Sequence, residues 1–292
     1  MTEPNTPGSR WSDLDRPPLN AAGLRRALIR PGSLWTALDV VDTTGSTNSD
    51  LAARVSAGGG AAPAEGTVLV AEEQTAGRGR LDRNWTAPAR SGLFFSVLLT
   101  PGGDIPVERW GWLPLLTGVA VASGLARAAG VDTSLKWPND LLVAVDGRER
   151  KAGGILAERA GEHAVVVGVG LNVTLRADEL PVPTAGSLAL ADALSLDRET
   201  LLRAVLRSIE QWYGDWRAAG GDPAASRLQE AYAAGCATLG RAVRAELPGD
   251  RELTGEAVAI DGDGRLVLAT ESGVREPAAA GDIVHLRPAD TD

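Results

Sequence analysis

Residues 133–173 hold four strand-like segments in succession, at 133–137, 141–145, 153–158 and 164–173, with turn signals at Asp146-Gly147 and Gly161-Glu162. Strands joined this tightly pair antiparallel, because a parallel neighbour needs a crossover of about a dozen residues or more. A helical pattern at 106–129, stopped by Gly130, precedes this meander, and helices at 199–219 and 224–234 follow it. Upstream, strands are expected at 38–41, 67–71 and 92–100. A helix through 50–56 follows the N-cap-rich run Thr43-Thr44-Gly45-Ser46-Thr47-Asn48 and ends at Gly58-Gly59-Gly60. Strand clusters and helix clusters segregate rather than alternate. The fold class this predicts is α+β, a central mixed or antiparallel sheet with helices, rather than a doubly wound sheet.

The two ends read differently from the middle. Residues 1–37 carry Pro4, Pro7, Pro17, Pro18 and Pro31 and read as an N-terminal tail or lead-in, with a short helix around Leu24, Ala27 and Leu28. After Gly235 come short alternating strands at 242–246, 255–260, 265–269 and 283–286, punctuated by Pro248-Gly249 and Asp261-Gly262-Asp263-Gly264. That is the pattern of a small all-β module, compatible with an SH3-like barrel. The expected organisation is therefore a tail over 1–37, a main domain over 38–236 and a C-terminal module over 237–292.

Rare residues exclude several chemistries. A single cysteine, Cys236, rules out an internal disulfide and a thiolate metal cage. His163 and His285 stand in no metal-ligand spacing, and no Gly-x-Ser-x-Gly elbow is present. The formal net charge of −9 disfavours nucleic acid and anionic membrane as partners. No run of about 18 apolar residues is present, so the chain is expected to be soluble and cytoplasmic.

Of the 29 basic residues 27 are arginine, and the two lysines are Lys136 and Lys151. An ammonium is a compact point charge and a guanidinium a planar fork, so the two are not interchangeable at close quarters. Both lysines fall within segments that could carry chemistry. Gly77-Arg78-Gly79-Arg80-Leu81-Asp82-Arg83-Asn84-Trp85, between two strands, offers backbone amides and arginines to an anion, with Trp85 able to stack on a base. Lys136-Trp137-Pro138-Asn139-Asp140 presents polar groups from a rigid strand end. Lys151-Ala152-Gly153-Gly154 begins a strand, and Gly168-Val169-Gly170-Leu171-Asn172 leaves a flat face with an amide at its end. Singly, each also reads as a solvated loop, a strand-ending turn or a weakened strand. Together, an anion-binding loop, two lysines and one carboxylate without metal ligands or a nucleophile point to electrostatic stabilisation and positioning, as in adenylation of a carboxylic acid.

The ordered set Gly45-Ser46-Thr47-Asn48, Gln74-Thr75-Ala76-Gly77-Arg78-Gly79-Arg80, Lys136-Trp137-Pro138-Asn139-Asp140, Lys151-Ala152-Gly153-Gly154-Ile155-Leu156 and Gly170-Leu171-Asn172 resembles the biotin–protein ligases. The resemblance implies a class II synthetase-like ligase domain with an SH3-like C-terminal domain. It implies formation of biotinyl-5′-AMP from biotin and ATP with Mg2+, then biotin transfer to a lysine of a biotin carboxyl carrier domain of an acyl-CoA carboxylase. By the same resemblance Ser46, Thr47, Asn48, Gln74, Gly77, Arg78, Lys151, Gly153 and Gly154 serve biotin. Arg78, Arg80, Trp85, Lys136, Asn139, Asp140 and Asn172 serve ATP and the adenylate, and Lys151, Arg80 and Asp140 are catalytic. The family's repressors carry an N-terminal helix-turn-helix domain, for which 1–37 is too short, so ligase activity without repression is expected. Many relatives continue Arg-Gly-Arg where this chain has Leu81-Asp82-Arg83. A lipoate–protein ligase, a nucleic-acid-binding regulator and a non-catalytic biotin or nucleotide binder are the alternatives. Neither the oligomeric state nor the metal ligands are legible.

Overall fold

The computed structural model describes residues 15–57, 63–81, 83–247, 251–278 and 282–285. The glycine run at 58–60 and the Pro248-Gly249 turn lie outside the described residues, as does Asp82. Elements follow in the order α1 (Ala21–Leu28), β1 (Ala37–Thr44), α2 (Thr47–Ala57), β2 (Thr67–Gln74), β3 (Gly77–Arg78), β4 (Asn84–Trp85) and β5 (Gly92–Leu99). A 3-10 turn (Val107–Gly111) then leads into α3 (Trp112–Ala129), β6 (Thr133–Lys136), β7 (Asp140–Val145), β8 (Arg148–Arg159), β9 (Val165–Asn172), α4 (Arg198–Ala218) and α5 (Leu228–Gly235). The C-terminal strands are β10 (Ala242–Leu247), β11 (Arg251–Ile260), β12 (Leu266–Ala269), β13 (Arg275–Ala278) and β14 (Asp282–His285).

Seven strands form one mixed sheet in the order β1-β2-β5-β9-β8-β7-β6. Only the β1–β2 pair is parallel, with α2 as its crossover, and the meander β6 to β9 is antiparallel throughout. Alternation along each central strand divides the core in two. Val68, Val70, Val97, Leu99, Val167 and Val169 face a large cluster shared with α3 and α4, while Leu69, Leu98 and Val166 face a smaller one under Leu51 of α2. Most of α3 is buried, because the sheet covers one side and α4 and α5 the other. It ends at Gly130, whose φ of 63° closes the helix in the left-handed conformation. At Gly124 a Cβ would sit 3.0 Å from Val205 Cα, so glycine sets the α3–α4 spacing. The span Val107–Ala129 is long and apolar enough to cross a membrane, but 67% of its most apolar stretch is buried inside the fold.

The short helix expected around Leu24 and Leu28 is present, and the described residues of the lead-in, from 15 on, are packed on the main unit rather than trailing from it. Helix α1, N-capped by the Asn20 side chain on Gly23 N at 2.9 Å, buries Leu24 and Leu28 against the main unit, and Leu19 and Trp35 join the same core. Its anchor is a buried ion pair, Arg198 Nη1 to Glu72 Oε2 at 2.7 Å, whose groups also bond Pro17 O and Leu19 N. Proline spacing signals irregular chain, but only the tertiary partners show that such chain is docked. The helix expected from 106 opens as the 3-10 turn, and the one expected from 224 begins at Leu228.

The C-terminal module is a five-stranded antiparallel sheet in the order β13-β12-β11-β10-β14, and it includes a strand, β13, that the alternation did not reveal. It is fastened to the main unit by two indoles: Trp112 Nε1 donates to Gly262 O at 2.9 Å and Trp137 Nε1 to Gly264 O at 2.9 Å. Arg109 also donates to Gly262 O.

Candidate active site

A cavity of about 460 Å³ opens on the α2 face of the sheet. Its floor is the central strands, where glycines keep the surface flat. A Cβ at Gly168 would lie 2.1 Å from Asn48 Oδ1, and one at Gly170 would lie 2.9 Å from the Trp85 ring. One wall is the start of α2 with Gln74, another the β6–β7 turn, and the cover is the segment 78–85. Residues so far apart in sequence converge because register places Asp140 opposite Gly154, Gly154 opposite Gly170 and Leu156 opposite Gly168 on one face.

Lys151 reaches that face through an irregularity. Leu141 pairs with Gly153, but Leu142 pairs with Lys151, so Ala152 is the extra residue of a β-bulge. In a regular strand residues 151 and 154 point to opposite faces. The bulge restores Lys151 to the side of Gly154, where its Nζ meets Asp140 Oδ1 at 2.6 Å and lies 5.8 Å from the centre of the Trp85 ring.

Around the start of α2 the polar groups are largely committed to one another. Gln74 Oε1 accepts from Thr47 N at 2.8 Å and from Thr47 Oγ1 at 3.1 Å, which leaves its amide NH2 for the cavity. Asn48 donates to Leu156 O at 3.0 Å and to Glu158 Oε2 at 2.9 Å, and accepts from Ser96 Oγ at 2.6 Å. Ser46 is buried beside them. In the cover, β3 and β4 pair as a two-residue ladder, and Gly79 N donates to Arg83 O at 2.6 Å. Leu81 is exposed at the tip with φ 52°. The bond between Trp137 and Pro138 is cis, and Asn139 is held by Ile155 O at 2.9 Å.

Twelve of the residues singled out from the sequence line this cavity: Ser46, Thr47, Asn48, Gln74, Arg78, Arg80, Trp85, Lys136, Asn139, Asp140, Lys151 and Gly154. Three do not. Gly77 lets the cover fold back, since a Cβ there would lie 2.4 Å from Trp85 O. Gly153 faces the other side of the sheet, where its Cβ would meet Leu141 and Gly170 O, so it leaves no room for a ligand. Asn172, buried past the cavity's end, donates to Gly186 O at 2.9 Å, and Gly186 N donates to Lys151 O at 2.8 Å, which braces the bulged strand. Residues not singled out as site residues also line the cavity, among them Gly79, Arg83, Asn84 and, from the C-terminal module, Glu246. The Gly-Arg segment itself signalled the first three; no local pattern marks Glu246, which arrives by docking of the module.

No cluster of three or more His, Cys, Asp or Glu is placed to hold a metal among the described residues. Asp140, Asn139 and Glu246 present oxygen atoms on the cavity wall.

A mixed sheet with a glycine-floored, cation-rimmed cavity and a small β module is an arrangement that this chain shares with known protein ligases. Residues 53–172 match the family described as the Biotin/lipoate A/B protein ligase family, and residues 238–286 match the Biotin protein ligase C terminal domain. A biotin--[acetyl-CoA-carboxylase] ligase of Mycobacterium tuberculosis is 45% identical over 275 residues, covering 93% of this chain and 97% of that protein. The bifunctional ligase/repressor BirA of Escherichia coli is 32% identical over 225 residues, 75% of this chain and 66% of BirA. The solved biotin protein ligase of Aquifex aeolicus in complex with biotin and ATP superposes with a TM-score of 0.69 at 27% identity, over 87% of this chain and all of that one. The chain belongs to the biotin protein ligase family.

Proposed function

We propose that the cavity binds biotin and ATP, forms biotinyl-5′-AMP with release of pyrophosphate, and transfers biotin to one lysine of a carrier domain of an acyl-CoA carboxylase. The observation that carries this reading is the Lys151–Asp140 pair, 2.6 Å apart on the wall of a cavity whose floor is glycine and whose rim is arginine. The ureido ring of biotin needs fixed donors and acceptors, and the NH2 of Gln74, oriented by Thr47, is one such donor. In the first step a carboxylate oxygen of biotin attacks the α-phosphorus and the bond to pyrophosphate breaks. Lys151 and Arg80 hold the charge that gathers on the phosphoryl oxygens, and Trp85 and Lys136 serve the nucleotide. Mg2+, which the chemistry calls for, neutralises the leaving pyrophosphate when it is bound.

In the second step a neutral target amine attacks the acyl carbon and AMP leaves with the electron pair of the acyl–oxygen bond. Asp140 orients the amine and takes its proton once Lys151 has turned to the adenylate. Gln74 and Arg78 close on biotin, whereas Asn48 and Asn172 support the site through neighbours. The cytoplasm, where ATP is present, is the proposed place of action.

Pyrophosphate exchange into ATP with Mg2+, run with biotin, with lipoate and with neither, tests the proposal. Exchange that depends on biotin is expected. Exchange with lipoate alone, or no exchange with either acid in a protein that still binds biotin, would overturn it.

A further inference from the structure

We propose that Glu158 is a positioning residue that latches the arginine-bearing cover to the floor of the site, and that this latch governs how long the adenylate is retained. Glu158 stands near the end of β8, on the same face as Gly154 and Leu156, and its two carboxylate oxygens take different partners. Oε1 accepts from Arg78 Nη2 in the cover, while Oε2 accepts from Asn48 Nδ2 at 2.9 Å in the first turn of α2. Arg78 places its other nitrogen, Nη1, 3.0 Å from Ser49 Oγ, in the same turn.

The Asn48 amide is committed to the protein. Both its donor hydrogens are used, its oxygen accepts from Ser96, and the amide lies over Gly168 where a Cβ would otherwise sit. It therefore transmits position rather than binding substrate. The polar chain Arg78–Glu158–Asn48–Ser96–Thr47–Gln74 runs from the cover to the amide that faces the cavity, with Ser96 Oγ 2.6 Å from Asn48 Oδ1 and 2.7 Å from Thr47 Oγ1 and Thr47 N donating to Gln74 Oε1.

The ends of the cover are held by backbone bonds, Thr75 N to Thr44 O and Ala76 N to Gly45 O at one side and Arg90 N to Glu72 O at the other. Arg78, between them, reaches both α2 and β8. A charge-assisted pair at that point resists opening of the segment that covers the ligand. Glutamine at 158 can accept from Arg78 or from Asn48 but not from both, and it loses the charge. The side chain is 28% exposed, so the substitution leaves the core intact.

The inference rests on the proposed biotin and ATP reading, and a cycle of variants separates the two. Glu158→Gln, Arg78→Gln and the double variant of the full chain would be loaded with biotin, ATP and Mg2+, and loss of biotinyl adenylate followed after a chase. Each single change is expected to speed loss about tenfold, with the double variant no faster than the faster single one, as residues of one network behave. Thermal midpoints should stay near wild type, a readout that a merely structural role would move. Wild-type retention in Glu158→Gln, or single effects that multiply in the double variant, would overturn the latch. Absence of biotin-dependent exchange in the wild type would instead overturn the reading on which it rests.

Discussion

Lys151 Nζ and Asp140 Oδ1 lie 2.6 Å apart although Lys151 stands three residues before Gly154, the glycine that faces Asp140 across the β7–β8 pair. The bulge at Ala152 makes that pairing possible, because it absorbs the extra residue that would otherwise turn Lys151 to the far face. Without a ligand each neutralises the other. Substrate carboxylate and phosphate must take Lys151 from Asp140, which then becomes free to receive the target amine.

Lys151→Ala is expected to reduce biotin-dependent pyrophosphate exchange by a factor on the order of 10² or more, with the fold retained. Lys151→Arg should recover little, because a planar fork does not replace a point charge between two oxyanions. Exchange at the wild-type rate in either variant would remove Lys151 from the reacting centre.

Deleting Ala152 should leave a regular ladder in which Lys151, two positions before Gly154 and still opposite Leu142, keeps the cavity face. We expect exchange well above that of Lys151→Ala, and Ala152→Gly, which keeps the residue count, should also retain most activity. Loss in the deletion as complete as in Lys151→Ala would show that facing alone does not set the lysine.

Gly168→Ala places a Cβ 2.1 Å from Asn48 Oδ1. The clash is with a side chain fixed by three hydrogen bonds, so the expected cost is about 1–3 kcal/mol of stability together with weakened biotin binding. Calorimetric titration with biotin beside a thermal melt checks both parts. Gly153→Ala, whose Cβ meets the opposite core, should cost stability and leave the biotin affinity of the folded fraction unchanged.

Arg198→Met leaves Glu72 buried without its cation and releases the carbonyl of Pro17. Breaking a buried pair from one side costs about 3–5 kcal/mol, so a clear fall in the thermal midpoint is expected. A midpoint within a degree of wild type would show that the lead-in contributes little to the fold.

Asp197 caps α4, accepting from Glu199 N at 3.0 Å and from the Thr200 hydroxyl at 2.7 Å. Burial alone would raise its pKa, but the bonds from the Thr200 hydroxyl and from the Glu199 and Thr200 amides prevail and hold it below the ordinary 3.8. A depressed carboxylate stabilises the fold above its unfolded pKa and loses that contribution as the pH falls through its folded one. Asp197→Ala should therefore cost about 0.5–1 kcal/mol at pH 7, with the difference from wild type shrinking below pH 3.8. Denaturant unfolding at pH 7 and pH 3 measures it; an equal gap at both would contradict the capping role.

Much of the fold was legible in the chain because it is written in local periodicity. The meander of β6 to β9, the long helix ending at Gly130 and the β-rich C-terminus follow from alternation, helical spacing and turn residues, each a property of a few neighbouring positions. The cluster of site residues was legible for a related reason: two lysines among 27 arginines and glycines at fixed spacing mark where an ammonium and a flat floor are needed.

Sequence by itself determined most of the elements of the main unit and which family motifs are present. Only the tertiary structure decided where they point. It turned Gly153 away from the cavity and Lys151 into it, docked the proline-rich lead-in through Glu72 and Arg198, and brought Glu246 to the rim from another module. The physical reason is common to all of these. A side chain's facing depends on cross-strand register and on partners more than 50 residues distant, and nothing in a residue's own neighbourhood records either.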